Sequence, residues 1–284
     1  MIVVRLLGGL GNQMFQYAVG RALAEERGDE LFLDTHAYGE TPPGHTPRHY
    51  ELHQFPIQAS LCSPWLRWKF RRRSWVPLLR RYAYVRESGH VFDASLATRR
   101  DPHLYLDGYW QSELYFRGLR AALAREFTLA SPPDERNAAL LTEIRASNAV
   151  AIHVRRTDYV DHAATHALHG VCSVDYYQRA MAYVRERVEA PRFFMFSDDP
   201  EWVRRNLSAP ADTRIVSHNG ADRGADDMRL MRECKNFVIA NSSFSWWGAW
   251  LCLHPNKLVV APRPWFADPN EDEGDLVPAD WTRM

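Results

Sequence analysis

The sequence of 284 residues has no excess of either charge, with 35 Lys and Arg against 35 Asp and Glu. No overall field therefore draws the chain onto nucleic acid or anionic lipid, and any basic patch must be local. Cysteine is scarce: Cys62, Cys172, Cys234 and Cys252 lie far apart and form no CxxC pair. That pattern suggests neither a zinc site nor the disulfide framework of a secreted domain, so a reducing cytoplasm is the expected compartment. No run of about 18 apolar residues is free of charge, and no membrane-crossing helix is expected. Met1 leads straight into Ile2–Leu7 with no basic segment ahead of a long apolar core, so a signal peptide is not expected either. Asp-x-Asp triplets are absent, which removes the most obvious ligand for a metal-bridged diphosphate. A repeat of solenoid period is also missing.

Aromatic side chains are plentiful, at 12% with ten tryptophans. They favour a globular protein with aromatic-lined clefts, a character frequent in sugar-binding sites. The length suits two domains of about 140 residues. Residues 2–7 read as a buried strand, 8–11 as a turn and 12–27 as a helix, a β-turn-α unit. A second strand follows at 31–34, a proline-rich loop at 41–47, a strand at 103–106 and a helix at about 113–127. Ser131-Pro132-Pro133-Asp134 makes a break, either a domain boundary or the cap of a linking helix. The expected division is 1–135 and 136–284. Beyond it the alternation is cleaner: strands at 149–154, 193–197, 213–216, 236–240 and 257–261, with helices at 174–188, 200–206, 226–234 and 244–252. Strands alternating with helices predict an α/β fold with parallel sheets, the second half doubly wound and the first a looser version of it.

Three junctions could carry chemistry. The strand 149–154 runs through His153 into Arg155, Arg156 and Asp158. Arginine offers a planar fork of donors matched to phosphate oxygens, and ligands bind at the carboxyl ends of strands in open α/β sheets; alternatively the arginines are surface ion-pair partners of Asp158. Gly8-Gly9-Leu10-Gly11-Asn12-Gln13 joins a strand to a helix, where N–H groups and the helix dipole favour a ligand oxygen, although the third glycine of GxGxxG is missing. Asp198 and Asp199 end the strand 193–197 ahead of Pro200, so that one carboxylate could cap the helix and the other bind a ligand. Ser242 and Ser243 open a helix after an apolar strand and could grip a diphosphate or cap the helix.

Two further features stand apart. His162, His166 and His169 fall at helical spacing, a weak metal signal in a loop-like context. Arg67, Lys69, Arg71, Arg72, Arg73, Arg80, Arg81 and Arg86 are interleaved with Trp65, Trp68, Phe70, Trp75, Tyr82 and Tyr84, with Pro77 interrupting any long helix. The first reading of 65–86 is a solvated, partly packed helical arm, followed by contact with a membrane surface or lipid-linked acceptor, and last by nucleic-acid binding.

Taken together, GGLGNQMFQYAVGRALA, HVRRTDYV, FSDDPEW and NFVIANSSFSWWGAWL resemble the bacterial α-1,2-fucosyltransferases of glycosyltransferase family 11. They echo the wider group that includes core α-1,6 and protein O-fucosylating enzymes. The resemblance spans the chain except for about 41–104. It implies a GT-B-like fold of two Rossmann-like domains, the first on the acceptor side. It further implies inverting, metal-independent transfer of L-fucose from GDP-β-L-fucose to the 2-hydroxyl of a galactoside in a surface glycan such as O-antigen lipopolysaccharide. By motif, Arg155 would bind the β-phosphate, His153 would lie near guanosine and Arg156 would support the site. Asp198 or Asp199 would contact guanine, Ser242 and Ser243 would hold the diphosphate, and Gly9, Gly11, Asn12 and Gln13 would close the cleft from the other domain. No cofactor, metal or nucleic acid is expected. The expected partner is a galactose-terminated glycan, free or lipid-linked, met in the cytoplasm or at the inner face of the membrane through 65–86. Inversion also needs a base for the incoming hydroxyl. Asp158 stands first, with Asp161, His162 and the first-domain carboxylates Asp34 and Glu51 as alternatives; core α-1,6 enzymes use a Glu a few residues beyond the motif, and this chain has Ala163 near that place. Another linkage, a protein acceptor, or a non-catalytic nucleotide-sugar-binding or glycan-binding module are the competing readings.

Overall fold

The computed structural model describes residues 1–39, 47–72, 81–156 and 163–284. The chain forms two compact units, one of Met1–Thr128 with Asp272–Pro278, the other of Leu129–Glu271 with Ala279–Met284. The division thus falls a few residues before the proline break, and a late segment returns to the first unit. There the Phe92 N–H donates to the Asp275 carboxylate at 3.0 Å. Asp134 instead serves the second unit, N-capping the helix Glu135–Arg145 by accepting from Asn137 N–H at 2.8 Å.

The first unit has five parallel strands, β1 Ile2–Arg5, β2 Leu31–Asp34, β3 Ser60–Leu61, β4 Tyr82–Arg86 and β5 His103–Asp107, in the order β3-β2-β1-β5-β4. The helix Leu10–Arg27 packs so closely on β1 that a Cβ on Gly20 would sit 2.5 Å from Val4 and 2.7 Å from Leu31. The edge strands β3 and β4 lie in the stretch where no motif is recognised. The helix expected at 113–127 is two short 3-10 turns followed by Arg120–Glu126.

The second unit has six parallel strands: β6 Asn148–Val154, β7 Pro191–Ser197, β8 Arg214–Val216, β9 Asn236–Val238, β10 Val259–Ala261 and β11 Thr282–Arg283. Their order is β8-β7-β6-β9-β10-β11, which in chain order is the 3-2-1-4-5-6 sequence of a dinucleotide-binding sheet. β6 and β7 are nearly continuous apolar runs because both faces are covered: Val150, Ile152, Phe193 and Met195 pack with Tyr176, Tyr177 and Val184 of the helix Val174–Arg185. The tryptophans of the helix Ser243–Leu251 are core, with Trp246, Trp247 and Trp250 stacked or edge-on to one another and buried.

Candidate functional site

The order of the second sheet reverses between β6 and β9, and in such sheets a crevice opens beyond the strand ends at that point. Two elements meet there: the residues that leave β6 and the start of the helix Ser243–Leu251 that follows β9. His153, near the end of β6, is buried, its ring centroid 5.5 Å from that of Phe244. Among the described residues its Nδ1 has no hydrogen-bond partner. Tyr177 Oη donates to its backbone carbonyl at 3.2 Å, which fixes the strand end. Burial, reinforced by Arg155, lowers the imidazole pKa to about 4 despite the opposing pull of Asp198, so the ring is neutral near pH 7.

Among the described residues, a carboxylate from the neighbouring strand pairs with Arg155. The β6–β7 register sets Val154 opposite Ser197, so the next residues on each strand meet. Arg155 Nη1 lies 3.2 Å from Asp198 Oδ2, both side chains partly buried, and the Arg156 N–H donates to Asp198 Oδ1 at 2.9 Å. Arg156 lays its guanidinium over the Trp202 ring, 3.9 Å from the centroid. Asp199 caps the helix Pro200–Asn206 by accepting from Trp202 N–H at 2.9 Å. Asp158, Asp161 and His162 lie outside the described residues.

Ser242 is the N-cap residue of Ser243–Leu251 by backbone conformation, yet its hydroxyl makes no capping bond. The first-turn N–H groups, which lack intrahelical acceptors, are therefore not taken up by that side chain. Asn241 instead anchors the junction, its Nδ2 donating to the carbonyls of His169 at 2.7 Å and Trp265 at 3.1 Å. Arg155, the neutral His153 and a helix N-terminus are suited to an anion joined to a flat heterocycle: cationic and N–H donors for the one, an aromatic flank for the other.

In the first unit the glycine turn sits at the matching reversal, between β1 and β5. Gly8 has φ +74°, and a Cβ there would lie 2.4 Å from the Asn12 amide nitrogen, so only glycine is comfortable. Gly9 is the N-cap of Leu10–Arg27, and a Cβ on it would face the Arg48 guanidinium at 3.5 Å. The Gln13 amide is committed inside the unit, donating to the Gly8 and His49 carbonyls at 3.2 and 2.7 Å and accepting from Glu51 N–H at 2.9 Å. Asn12 Oδ1 accepts from Gln111 at 2.9 Å. Asp34 is buried and held by Tyr105 Oη at 2.7 Å and by His36 N–H at 3.1 Å. Glu51 keeps partial exposure, with burial raising its pKa against the pull of Arg48.

His166 is exposed and His169 packs on Phe266; among the described residues no group of three His, Cys, Asp or Glu side chains is arranged to hold a metal ion. No helix among them is long and apolar enough to cross a membrane. Sequence reasoning did not single out Trp202, Phe244 or the bond between Asp198 and Arg155. The first two lie inside quoted motifs; the third depends on strand register.

The profile of glycosyl transferase family 11 matches residues 1–284. An alpha-1,2-colitosyltransferase of Escherichia coli is 33% identical over 300 aligned positions, covering 100% of this chain and 99% of its own. Galactoside alpha-(1,2)-fucosyltransferase 1 of Oryctolagus cuniculus is 29% identical, covering 86% of this chain and 62% of its own. Among solved structures, a point variant of Arabidopsis thaliana FUT1 in complex with GDP superposes with a TM-score of 0.52 at 12% identity, over 93% of this chain and 71% of that one. That last likeness is one of fold, the GT-B type with two parallel-sheet α/β domains.

Proposed function

We propose that this chain, which belongs to glycosyl transferase family 11, moves L-fucose from GDP-β-L-fucose to the 2-hydroxyl of a galactose unit in a surface glycan, inverting the anomeric centre without a metal ion. The observation that carries the reading is the strand-end cluster of Arg155, Asp198 and His153 at the reversal of the 3-2-1-4-5-6 sheet.

Cleavage of the anomeric bond builds positive character on the sugar ring and negative charge on the departing GDP. A preorganised cation at the leaving group lowers that barrier, because its reorganisation is complete before the bond breaks. Arg155 is assigned this role, and Asp198 holds its fork in place. His153 and Phe244 are assigned to the guanine: a neutral imidazole with an unused nitrogen offers the base a hydrogen bond without a charge. The N–H groups after Ser242, with the Ser242 and Ser243 hydroxyls, are assigned to the diphosphate. Asp158 is assigned the proton of the acceptor hydroxyl. Asp34 is a poorer choice for that proton, since its oxygens already hold Tyr105 and His36. The acceptor is assigned to the first unit, where Gly9, Gly11 and Asn12 mark the corresponding strand-end turn.

A second reading has its own support: the colitosyltransferase of Escherichia coli is 33% identical over the full length of this chain. Colitose is L-fucose without its 3-hydroxyl, so one diphosphate site and one leaving group serve either donor. One experiment tests both. The protein is incubated with GDP-fucose or GDP-colitose and a panel of β-galactosides, with and without EDTA, and the product linkage is read by NMR. An α-1,2-fucosylated galactoside formed equally well with chelator is the expected result, and preference for GDP-colitose selects the second reading. No transfer from either donor, or transfer only with added divalent cation, overturns the proposal.

A further inference from the structure

We propose that the outward face of the helix Pro64–Arg72 docks the protein on an anionic phospholipid surface. The helix is fixed from beneath. Phe70 is fully buried, edge-on to Tyr82 with centroids 5.1 Å apart and 5.3 Å from Tyr105, in a cluster completed by Val3. Arg67 reaches inward to within 3.5 Å of the Asp34 carboxylate. Anchoring at 67 and 70 turns positions 65, 68 and 72 outward.

That outward face is built of the residues proteins usually bury. Trp65 is 62% exposed, Trp68 40% and Leu61, at the end of β3, 59%. The two indoles stack on each other, centroids 4.8 Å apart with planes 7° from parallel, and Lys69 Nζ lies 5.6 Å from the Trp65 centroid. Arg71 and Arg72 are exposed beside them. From Ser60 to Arg86 the sequence carries eight Lys and Arg and not one Asp or Glu, in a chain that holds 35 of each sign overall.

Exposed indoles with a cationic flank match the headgroup layer of a bilayer, where the amphipathic ring settles at the interface and Lys or Arg meet lipid phosphates. Either signal alone gives marginal binding; together they give stable, reversible attachment. Single-stranded nucleic acid also prefers basic and aromatic surfaces, but it needs open ring faces for its bases. Here the facing sides of the indoles are spent on each other and Lys69 lies near the Trp65 ring, which leaves fewer open faces on which bases could stack.

The test is co-sedimentation of the full chain with vesicles, a readout that requires no turnover. Binding is expected to vesicles of phosphatidylcholine mixed with phosphatidylglycerol, whose negative surface potential attracts basic segments, and not to phosphatidylcholine alone, with loss on raising salt. The double variant Trp65→Ala/Trp68→Ala should abolish it. Arg71→Ala/Arg72→Ala should weaken it about 25-fold, about fivefold per cation. Both variants should keep the circular dichroism spectrum and the transfer rate to a soluble galactoside, because none of these side chains is buried. Absence of wild-type binding, or binding indifferent to both double variants, overturns the proposal. So does a finding that the tryptophan variant alters only self-association or only oligonucleotide binding, which would make the face a contact for a second copy or for nucleic acid.

Discussion

His153, near the end of β6, and Arg155, just beyond it, meet opposite electrostatic demands, and each makes its own prediction. Arg155 is held by Asp198 at 3.2 Å, so its charge is positioned before any ligand arrives. Removing one preorganised donor of this kind typically costs about 10²- to 10³-fold in turnover. Arg155→Ala should therefore lose transfer by that factor while its thermal unfolding stays close to the parent, and steady-state assays beside calorimetry check both halves. Transfer within about threefold of the parent would remove Arg155 from the site. His153 governs acid stability instead. The unfolded imidazole takes its proton below about pH 6.5, whereas the buried one resists down to about 4. The unfolded state thus binds more protons across that window, and stability falls as pH drops from 6.5 to 4, by roughly 3 kcal/mol in all. Denaturant titrations at several pH values should show that slope, and His153→Gln should flatten it. Asp227 runs the other way: burial lifts its pKa to about 6, so its contribution is fully present below about pH 4 and is lost as pH rises through 6. Asp227→Asn keeps an acceptor for Asn219, now 2.7 Å away, and should stabilise the protein by about 1–2 kcal/mol at pH 7.

Among the elements, the loop after β5 shows how a local conflict is held in place. Trp110 is buried and left-handed at φ 56°, a conformation bulky side chains avoid. Glu87 clamps it by accepting from the N–H groups of Tyr109 at 2.6 Å and Trp110 at 2.8 Å. Gly108 must be small for the clamp to close, since a Cβ there would lie 2.3 Å from the Glu87 Cβ. Gly108→Ala should therefore destabilise the first unit by about 1–3 kcal/mol, from the displaced carboxylate and the unmet N–H groups it leaves. Hydrogen exchange at Tyr109 and Trp110 should speed up accordingly, and unchanged protection there would contradict the account. Nothing in the sequence marked this clamp, because Glu87 and Trp110 lie 23 residues apart and join only once β4 pairs with β5. Other elements were plain. β6 and β7 are long apolar runs covered on both faces, and Pro200 after Asp199 announces a helix start that the structure contains. β3 and β11 were not, being two-residue strands with no hydrophobic alternation to detect. The Asp198 link to Arg155 was hidden for a related reason: Asp158 is close in sequence, whereas Asp198 becomes close only through the Val154–Ser197 register.

Over the whole molecule, two parallel sheets with separate cores give two places where strand order reverses, and the charged cluster belongs to the second. A nucleotide held by that unit alone should stabilise the folded chain by mass action, since a ligand that binds only the native state adds RT ln(1 + [L]/Kd). At 100 times Kd that amounts to about 2.7 kcal/mol, which for a protein of this size is a rise in midpoint of several degrees. GDP should produce that rise in the parent, with or without EDTA, if Arg155, His153 and the helix N-terminus together hold the nucleotide. Guanosine should produce less, because it lacks the diphosphate that Arg155 is assigned to meet, and Arg155→Ala should reduce the GDP shift to the guanosine level. His153→Gln should weaken GDP and guanosine together, since its assigned contact is to the base. A differential scanning fluorimetry series with these two ligands and two variants separates the contributions. Equal shifts for GDP and guanosine in the parent would place the arginine away from the nucleotide and leave the strand-end cluster a structural ion pair.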